Sequence, residues 1–213
     1  ENILEVRDLV QSFSQPYGIL DRLAGKPRKT VHAVNGVSFS IRRKEVFSLV
    51  GESGCGKSTT ARTIVRLLEP RSGSVVFDGE DISAYTPSQM MHVRKKMQMI
   101  FQDPYASLNP RQRIKDIIME PMLFHETVTG KEEAHAEMYR LLDIVGFRPE
   151  QAERYPHQFS GGQRQRIGIA RALSTNPSFI VADEPVSALD VSIQAQVLNL
   201  MMDLKEEFSL SYL

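Results

Sequence analysis

Apolar and polar residues alternate over residues 3–10 (ILEVRDLV), a period-two pattern that predicts a strand with one solvated face, read as an edge strand. The stretch 15–30 carries Pro16, Gly18, Gly25 and Pro27 and predicts a long surface loop or irregular hairpin. Strand character resumes over 31–41 around an Asn35-Gly36 turn signal. The β-branched and aromatic run 45–50 (EVFSLV) predicts a short strand, and 60–68 (TARTIVRLL) places apolar residues at helical spacing until Glu69-Pro70 closes the helix. Residues 74–77 (SVVF) form the next expected strand, ending in an Asp78-Gly79 turn, and 88–96 a basic helix whose Arg94, Lys95 and Lys96 make a solvated face. The apolar runs 97–101 (MQMIF) and 178–182 (SFIVA) predict buried strands, with Gln102 at the end of the first and Asp183-Glu184 at the end of the second. A turn at 185–190 (PVSALD) leads into a helix over 191–208, and 211–213 (SYL) looks like the opening of a further strand.

Between 103 and about 155 no strand pattern occurs. Asp103-Pro104, Asn109-Pro110 and Pro121 break the chain, and helices are expected over 112–124 and 131–145, with Leu141, Leu142 and Val145 in the core. The pattern therefore predicts an α/β core from 1–102 and 156–213, with an α-helical subdomain inserted at 103–155.

Bulk properties narrow the picture modestly. A chain of 213 residues can bury a substantial core, and 41% hydrophobic with 24% charged residues is ordinary globular usage. Lys plus Arg equals Asp plus Glu at 26 each, so no basic excess argues for nucleic acid. No apolar run reaches the roughly 18 residues of a spanning helix, so any membrane role is expected to come through partner subunits. The single cysteine, Cys55, excludes an internal disulfide and fits a reducing cytosol. The chain opens without Met and stops at a strand opening, which is read as a piece of something longer.

The chemistry concentrates in three places. Gly51-Glu52-Ser53-Gly54-Cys55-Gly56-Lys57-Ser58-Thr59 fits G-x-x-x-x-G-K-[ST] between an expected strand and an expected helix. Its glycines let backbone N–H groups turn toward an anion, and the helix N-terminus adds its dipole. Lys57 would reach the β and γ phosphates of a nucleoside triphosphate and the Ser58 hydroxyl would ligate Mg²⁺. Residues 159–163 (FSGGQ) form a second phosphate-like element: Ser160 is a good N-cap, Gly161 and Gly162 free the backbone, and Gln163 enters the helix. By spacing alone, an ordinary capped helix explains the same residues. The acidic pair divides naturally, with Asp183 holding Mg²⁺ through water and Glu184 polarising the water that attacks the γ-phosphate. Gln102, at a strand end where ligands gather, is a candidate to reach the metal or the attacking water, with an ordinary turn residue as the plain alternative. Phe13, ahead of Tyr17, is a candidate to stack on an adenine ring, with core packing as the plain alternative.

Taken in this order, GESGCGKST, Gln102, FSGGQ, FIVADE and SALD resemble an ABC-type ATPase across essentially the whole chain. The segments FQDPYASLNPR (101–111), PHQFSGGQRQR (156–166) and DEPVSALDVSIQAQ (183–196) are similar to the ATP-binding subunits of bacterial oligopeptide, dipeptide and nickel importers. The resemblance implies a phosphate-loop NTPase core, a mixed sheet flanked by helices with an antiparallel N-terminal β part. It makes Gly51 to Thr59 the Walker A loop, Gln102 the Q-loop glutamine, Asp183 the Walker B aspartate, Glu184 the general base and Phe13 the A-loop aromatic. The helix from 160 would be the signature helix at the junction of core and subdomain. Ser160, Gly161, Gly162 and Gln163 would reach across a head-to-tail dimer to ATP on a second ATP-binding subunit, identical or paralogous, with Asp190 in the D-loop at that interface. Two membrane-spanning permease subunits would dock near 104–111 and a separate binding protein would supply cargo, which puts this subunit on the cytoplasmic face of the inner membrane. The family's switch histidine lies beyond the D-loop, whereas all five histidines here precede Asp183, and the last core strands are expected to be missing. Poor turnover is therefore expected from this chain alone. A nucleotide-gated dimerising module outside transport is the competing reading. A GTPase is disfavoured, since no N-K-x-D pattern occurs.

Overall fold

The structure, a computed structural model, describes residues 1–14 and 30–213. The loop expected across 15–30, and Tyr17 within it, lie outside the described residues except for Thr30. Two compact units emerge, Glu1–Arg42 with Ser48–Tyr85, and Arg43–Phe47 with Thr86–Leu213.

Among the described residues the first unit is a four-stranded antiparallel sheet in the order β2-β1-β3-β4, with one helix. Its strands are β1 (Asn2–Ser14), β2 (Thr30–Arg42), β3 (Ser72–Phe77) and β4 (Glu80–Asp81), and its helix is α1 (Lys57–Ile64). β1 is an inner strand, paired on one side with β2 and on the other with β3, and not the edge its alternation suggested. Alternation reports that one face is wet; it carries no information about neighbours in the sheet plane. The Asn35-Gly36 signal is a bulge rather than a turn. Leu9 faces Val37 and Val10 faces Asn35, which leaves Gly36, at φ +69°, as the extra residue. Asp78-Gly79 does make the expected two-residue hairpin, with Phe77 opposite Glu80 and positive φ at both turn residues. Ile3, Leu4, Val6, Leu9, Ile41, Ile64, Val75 and Phe77 are buried and form the core of this unit. Helix α1 ends at Ile64, earlier than the Glu69-Pro70 stop. Arg66 takes φ +56° there, and its guanidinium donates to the carbonyls of Ile82, Ser83 and Tyr85, which draws the chain off the helix axis.

The second unit holds a three-stranded parallel sheet, β5 (Met97–Ile100), β6 (Phe179–Ala182) and β7 (Ser211–Tyr212), in that order. Its helices are α2 (Pro87–Lys96), α3 (Ile114–Phe124), α4 (Lys131–Ile144), α5 (Gly161–Leu173) and α6 (Val191–Phe208), with short 3₁₀ turns at Pro149–Glu153 and Pro156–Gln158. The strand expected over 45–50 is reduced to a parallel bridge between Val46 and Tyr212, with Phe47 N–H donating to the Tyr212 carbonyl at 2.9 Å. A β-branched run becomes a strand only where a ladder partner exists, and Tyr212 supplies one residue of it. Pro121, expected to break the chain, lies inside α3 near its C-terminal end, and its carbonyl accepts from His125 N–H at 3.0 Å. One apolar core joins the helices to this sheet, with Leu141, Leu142 and Val145 buried in it together with Ile118, Met122, Ile167 and Ile180. No helix among the described residues is long and apolar enough to cross a membrane.

Candidate functional site

In the first unit, residues 51–55 form an exposed loop that closes onto α1. Gly56 sits at φ +100°, and a methyl there would lie 2.1 Å from the Ala33 carbonyl oxygen. Only glycine satisfies both the left-handed backbone and the close approach to β2. Lys57, first residue of α1, folds back so that its Nζ donates to the carbonyls of Gly51 and Glu52, each at 2.9 Å. The ammonium is thus already drawn inward over the loop, at the positive end of a helix. Inside α1, Thr60 Oγ1 donates to the Gly56 carbonyl at 2.9 Å and Thr63 Oγ1 to the Thr59 carbonyl at 2.7 Å, which stiffens the first turns below Ser58 and Thr59. Cys55 is exposed, and its Sγ would meet a methyl built on Gly51 at 2.6 Å. Phe13 pairs with Val31 across β1 and β2 and is 42% exposed, two residues along β2 from the Ala33 carbonyl that fixes Gly56. An accessible aromatic face and the glycine loop therefore share one region of β2.

In the second unit, the ends of β5 and β6 bring Gln102, Asp183 and Glu184 together. Asp183 is buried, and its N–H donates to the Ile100 carbonyl at 2.9 Å. Glu184 takes φ +43°, uncommon for a residue with a side chain. Gln102 Nε2 donates to Glu184 Oε2 at 2.9 Å and to Ser187 Oγ at 3.2 Å. Asp190 is exposed and precedes α6 as its N-cap residue without a side-chain cap bond, while its carbonyl accepts from Ile193 and Gln194.

The FSGGQ element is a complete capping box on α5. Gln163 N–H donates to Ser160 Oγ at 3.3 Å and Ser160 N–H donates to Gln163 Oε1 at 3.0 Å. The two glycines are helical, so the freed backbone proposed for them is not what the position requires. They are needed for space, since a methyl on Gly162 would meet Ile193 Cγ2 of α6 at 2.4 Å and one on Gly161 would touch Leu189 at 3.5 Å. The run that follows ties α5 to its surroundings. Arg164 Nε donates to the Pro156 carbonyl while its guanidinium lies 3.9 Å over the Tyr105 ring. Buried Gln165 reaches the Phe101 carbonyl at 3.4 Å, Arg166 the Gln196 side chain at 2.8 Å, and Arg171 the Ser107 carbonyl at 2.5 Å. Burial pulls the Arg171 guanidinium below its ordinary pKa, against an opposing pull from Glu120. Tyr105, Arg164, Gln165 and Ser187 lie in segments that carry the family resemblance but gain no individual role from the sequence alone, and Arg171 lies outside those segments. The polar residues spaced through the first turns of an otherwise apolar helix were the one available signal.

Each group taken by itself has chemistry that suits part of a magnesium–nucleotide. In the first unit the loop offers backbone donors and a lysine to phosphate, and Ser58 a hard oxygen; in the second unit Asp183 is a hard oxygen donor of the kind Mg²⁺ prefers. No group of three or more His, Cys, Asp or Glu side chains suited to a metal occurs among the described residues. Mg²⁺ needs no such group, because it is commonly held by one or two carboxylates together with substrate phosphates.

Comparison with known proteins identifies the family. The family model described as ABC transporter matches residues 34–187. The oligopeptide transport ATP-binding protein AppF of Bacillus subtilis (strain 168) is 54% identical over 214 aligned residues, covering 100% of this chain and 64% of that protein. The glutathione import ATP-binding protein GsiA of Escherichia coli (strain K12) is 52% identical over 213 residues, 100% of this chain and 33% of its own length. The chain thus spans less than two thirds of the length of AppF and a third of GsiA. Among solved structures, the dimeric post-hydrolysis state of the ATP-binding cassette MJ0796 bound to ADP and Pi superposes with a TM-score of 0.83 at 27% identity, over 98% of this chain and 85% of that one. The cbiO1 subunit from Clostridium perfringens, part of the ABC transporter complex cbiONQ, gives 0.79 at 25% identity, over 100% of this chain and 77% of its own. A family model over most of the chain, relatives above half identity and matching cassette structures converge: this chain belongs to the ABC transporter family.

Proposed function

We propose that this chain is the ATP-binding and ATP-hydrolysing part of an importer for oligopeptides or dipeptides, with nickel as the other cargo its motifs resemble. The observation that carries the reading is the Gly51–Lys57 loop, where a left-handed glycine is packed on β2 and a lysine ammonium is poised over the loop carbonyls. Support for the cargo class comes from AppF, named for oligopeptide transport, and GsiA, named for glutathione import.

The backbone N–H groups of Gly51 to Gly56 would cradle phosphate, and Lys57 would exchange its two carbonyl partners for phosphate oxygens. Residues 51–59 would thus hold ATP, with Phe13 stacking on the adenine. Bound Mg²⁺, held by Ser58, Asp183 and Gln102, would neutralise the charge developing on the transferred phosphoryl group. Glu184 would take a proton from the attacking water as general base, with Gln102 orienting that water. Ser160 to Gln163 and Asp190 would serve the ATP of a second copy or paralogue, arranged head to tail. The cap bond uses a lone pair of Ser160 Oγ, so the hydroxyl proton remains to be donated to a phosphate across that interface. Two permease subunits and a binding protein would complete the importer at the cytoplasmic face of the membrane. Residues 103–155 would form the inserted helical subdomain, and 1–102 with 156–213 the core.

Calorimetric titration of Mg-ATP into the chain tests the reading, with Lys57→Ala as the control. Binding is expected in the parent and lost in the variant, a cost of about 3 kcal/mol or more by analogy with other deleted electrostatic donors. A chain that is folded by circular dichroism and binds no nucleotide overturns it.

A further inference from the structure

Ser187 has no role in the mechanism above, yet three hydrogen bonds meet at it. Its N–H and its hydroxyl both donate to the Glu184 carbonyl, each at 3.1 Å. Its Oγ accepts from Gln102 Nε2 at 3.2 Å. These bonds settle the orientation of the Gln102 amide. The Ser187 proton is committed to the Glu184 carbonyl, so only lone pairs of Oγ face Gln102, and the second partner is a carboxylate oxygen that accepts at 2.9 Å. The NH₂ end of Gln102 must therefore point inward, with both of its protons used. The oxygen of Gln102, the atom a metal would need, is not the end that Ser187 and Glu184 engage. Ser187 also braces the left-handed Glu184 peptide, since both of its donors converge on that one carbonyl.

We propose that Ser187 is a positioning residue that clasps the Gln102 amide to the Glu184 carboxylate and restrains Gln102 until the clasp opens. One oxygen of the general base accepts from Gln102 while the clasp is closed, and any movement of Gln102 away from Glu184 breaks two bonds. The catalytic consequence rests on the ATPase reading above; the clasp itself does not.

The test separates the two. In nucleotide-free chain labelled with ¹⁵N only at glutamine side chains, the Gln102 amide pair is assigned by its loss in Gln102→Leu. Ser187→Ala should move that pair, and Ser187→Thr, which keeps the hydroxyl, should leave it in place. A pair that stays put in Ser187→Ala overturns the clasp. On the catalytic side, in the complete protein, Ser187→Ala should raise unstimulated kcat by about two- to tenfold, the range expected for one exposed hydrogen bond, with KM for ATP unchanged. Ser187→Thr should restore the parent rate, and in a Gln102→Leu background Ser187→Ala should add nothing. A fall in kcat, or an equal effect in both backgrounds, overturns the positioning role. Absence of Lys57-dependent turnover in the complete protein overturns the ATPase reading, while the amide measurement still judges the clasp.

Discussion

The glycines that matter most here are restricted by different forces. Gly56 is held by its backbone angle and by the Ala33 carbonyl, whereas Gly162 is held by a neighbouring side chain, Ile193 Cγ2. That methyl belongs to a β-branched residue with little rotamer freedom, so an added Cβ must push α6 rather than rotate a side chain. Gly162→Ala is expected to cost about 1–3 kcal/mol, as overpacking usually does, and Ile193→Ala in the same chain should recover part of it; chemical denaturation of the three variants measures both. His125 is held by a different balance. Burial, followed by the charges of Lys95 and Arg94, holds its imidazole below the ordinary value of 6.5. The unfolded chain therefore takes up this proton at a higher pH than the folded one. Stability falls as pH drops from 6.5 through the lower folded value, and no such loss occurs above that window. His125→Gln should lessen the acid loss, read as a smaller shift of the urea midpoint on acidification.

At the scale of elements, α5 organises its unit by reaching out with polar side chains from an apolar helix. Gln165 and Arg171 hold the Phe101 and Ser107 carbonyls, and Arg164 stacks on Tyr105, so the segment after β5 is fastened to the helix that follows FSGGQ. Asp103 and Asn109 close the turns inside that segment, with Tyr105 N–H at 2.7 Å from Asp103 Oδ1 and Arg111 N–H at 3.1 Å from Asn109 Oδ1. The chain on both sides of Gln102 is accordingly tied to α5 through named bonds. Arg171→Met keeps the length and apolar stem but removes the donor, at a cost of about 1.5–3 kcal/mol for a charged hydrogen bond. Amide exchange over 103–111 should quicken while β5 and β6 keep their protection; unchanged exchange would show that Arg171 carries no share of the fastening.

At the scale of the whole molecule, the proposed mechanism splits each ATP between two chains, because the FSGGQ hydroxyl serves a partner's phosphate. Binding and turnover then have different requirements. A single chain should bind ATP, and closure should persist when hydrolysis is blocked. Glu184→Gln in the complete protein removes the base while keeping a side chain of the same size. It should elute as a dimer with Mg-ATP on a sizing column and as a monomer without it. A variant that stays monomeric with ATP removes the split-site mechanism.

What the sequence determined by itself is the chemistry that travels along the chain. The glycine loop, the Ser160 cap, the Asp78-Gly79 hairpin, the helix over 191–208 and the acidic pair after an apolar strand are all set by residues within a few positions of one another. Their physics is backbone angle, capping and spacing, which is local. The tertiary structure alone decided which strand is internal, how much of 45–50 becomes sheet, why Gly162 must be glycine, and what Gln102 holds. β1 became an inner strand because β3 returned to its free side. Residues 45–50 keep one bridge among the described residues because a strand needs a partner and Tyr212 supplies only one ladder position. Gln102 meets Glu184 across 82 positions of sequence, through the parallel pairing of β5 with β6. Such contacts depend on sheet register and on the packing of distant elements, and no local pattern encodes them.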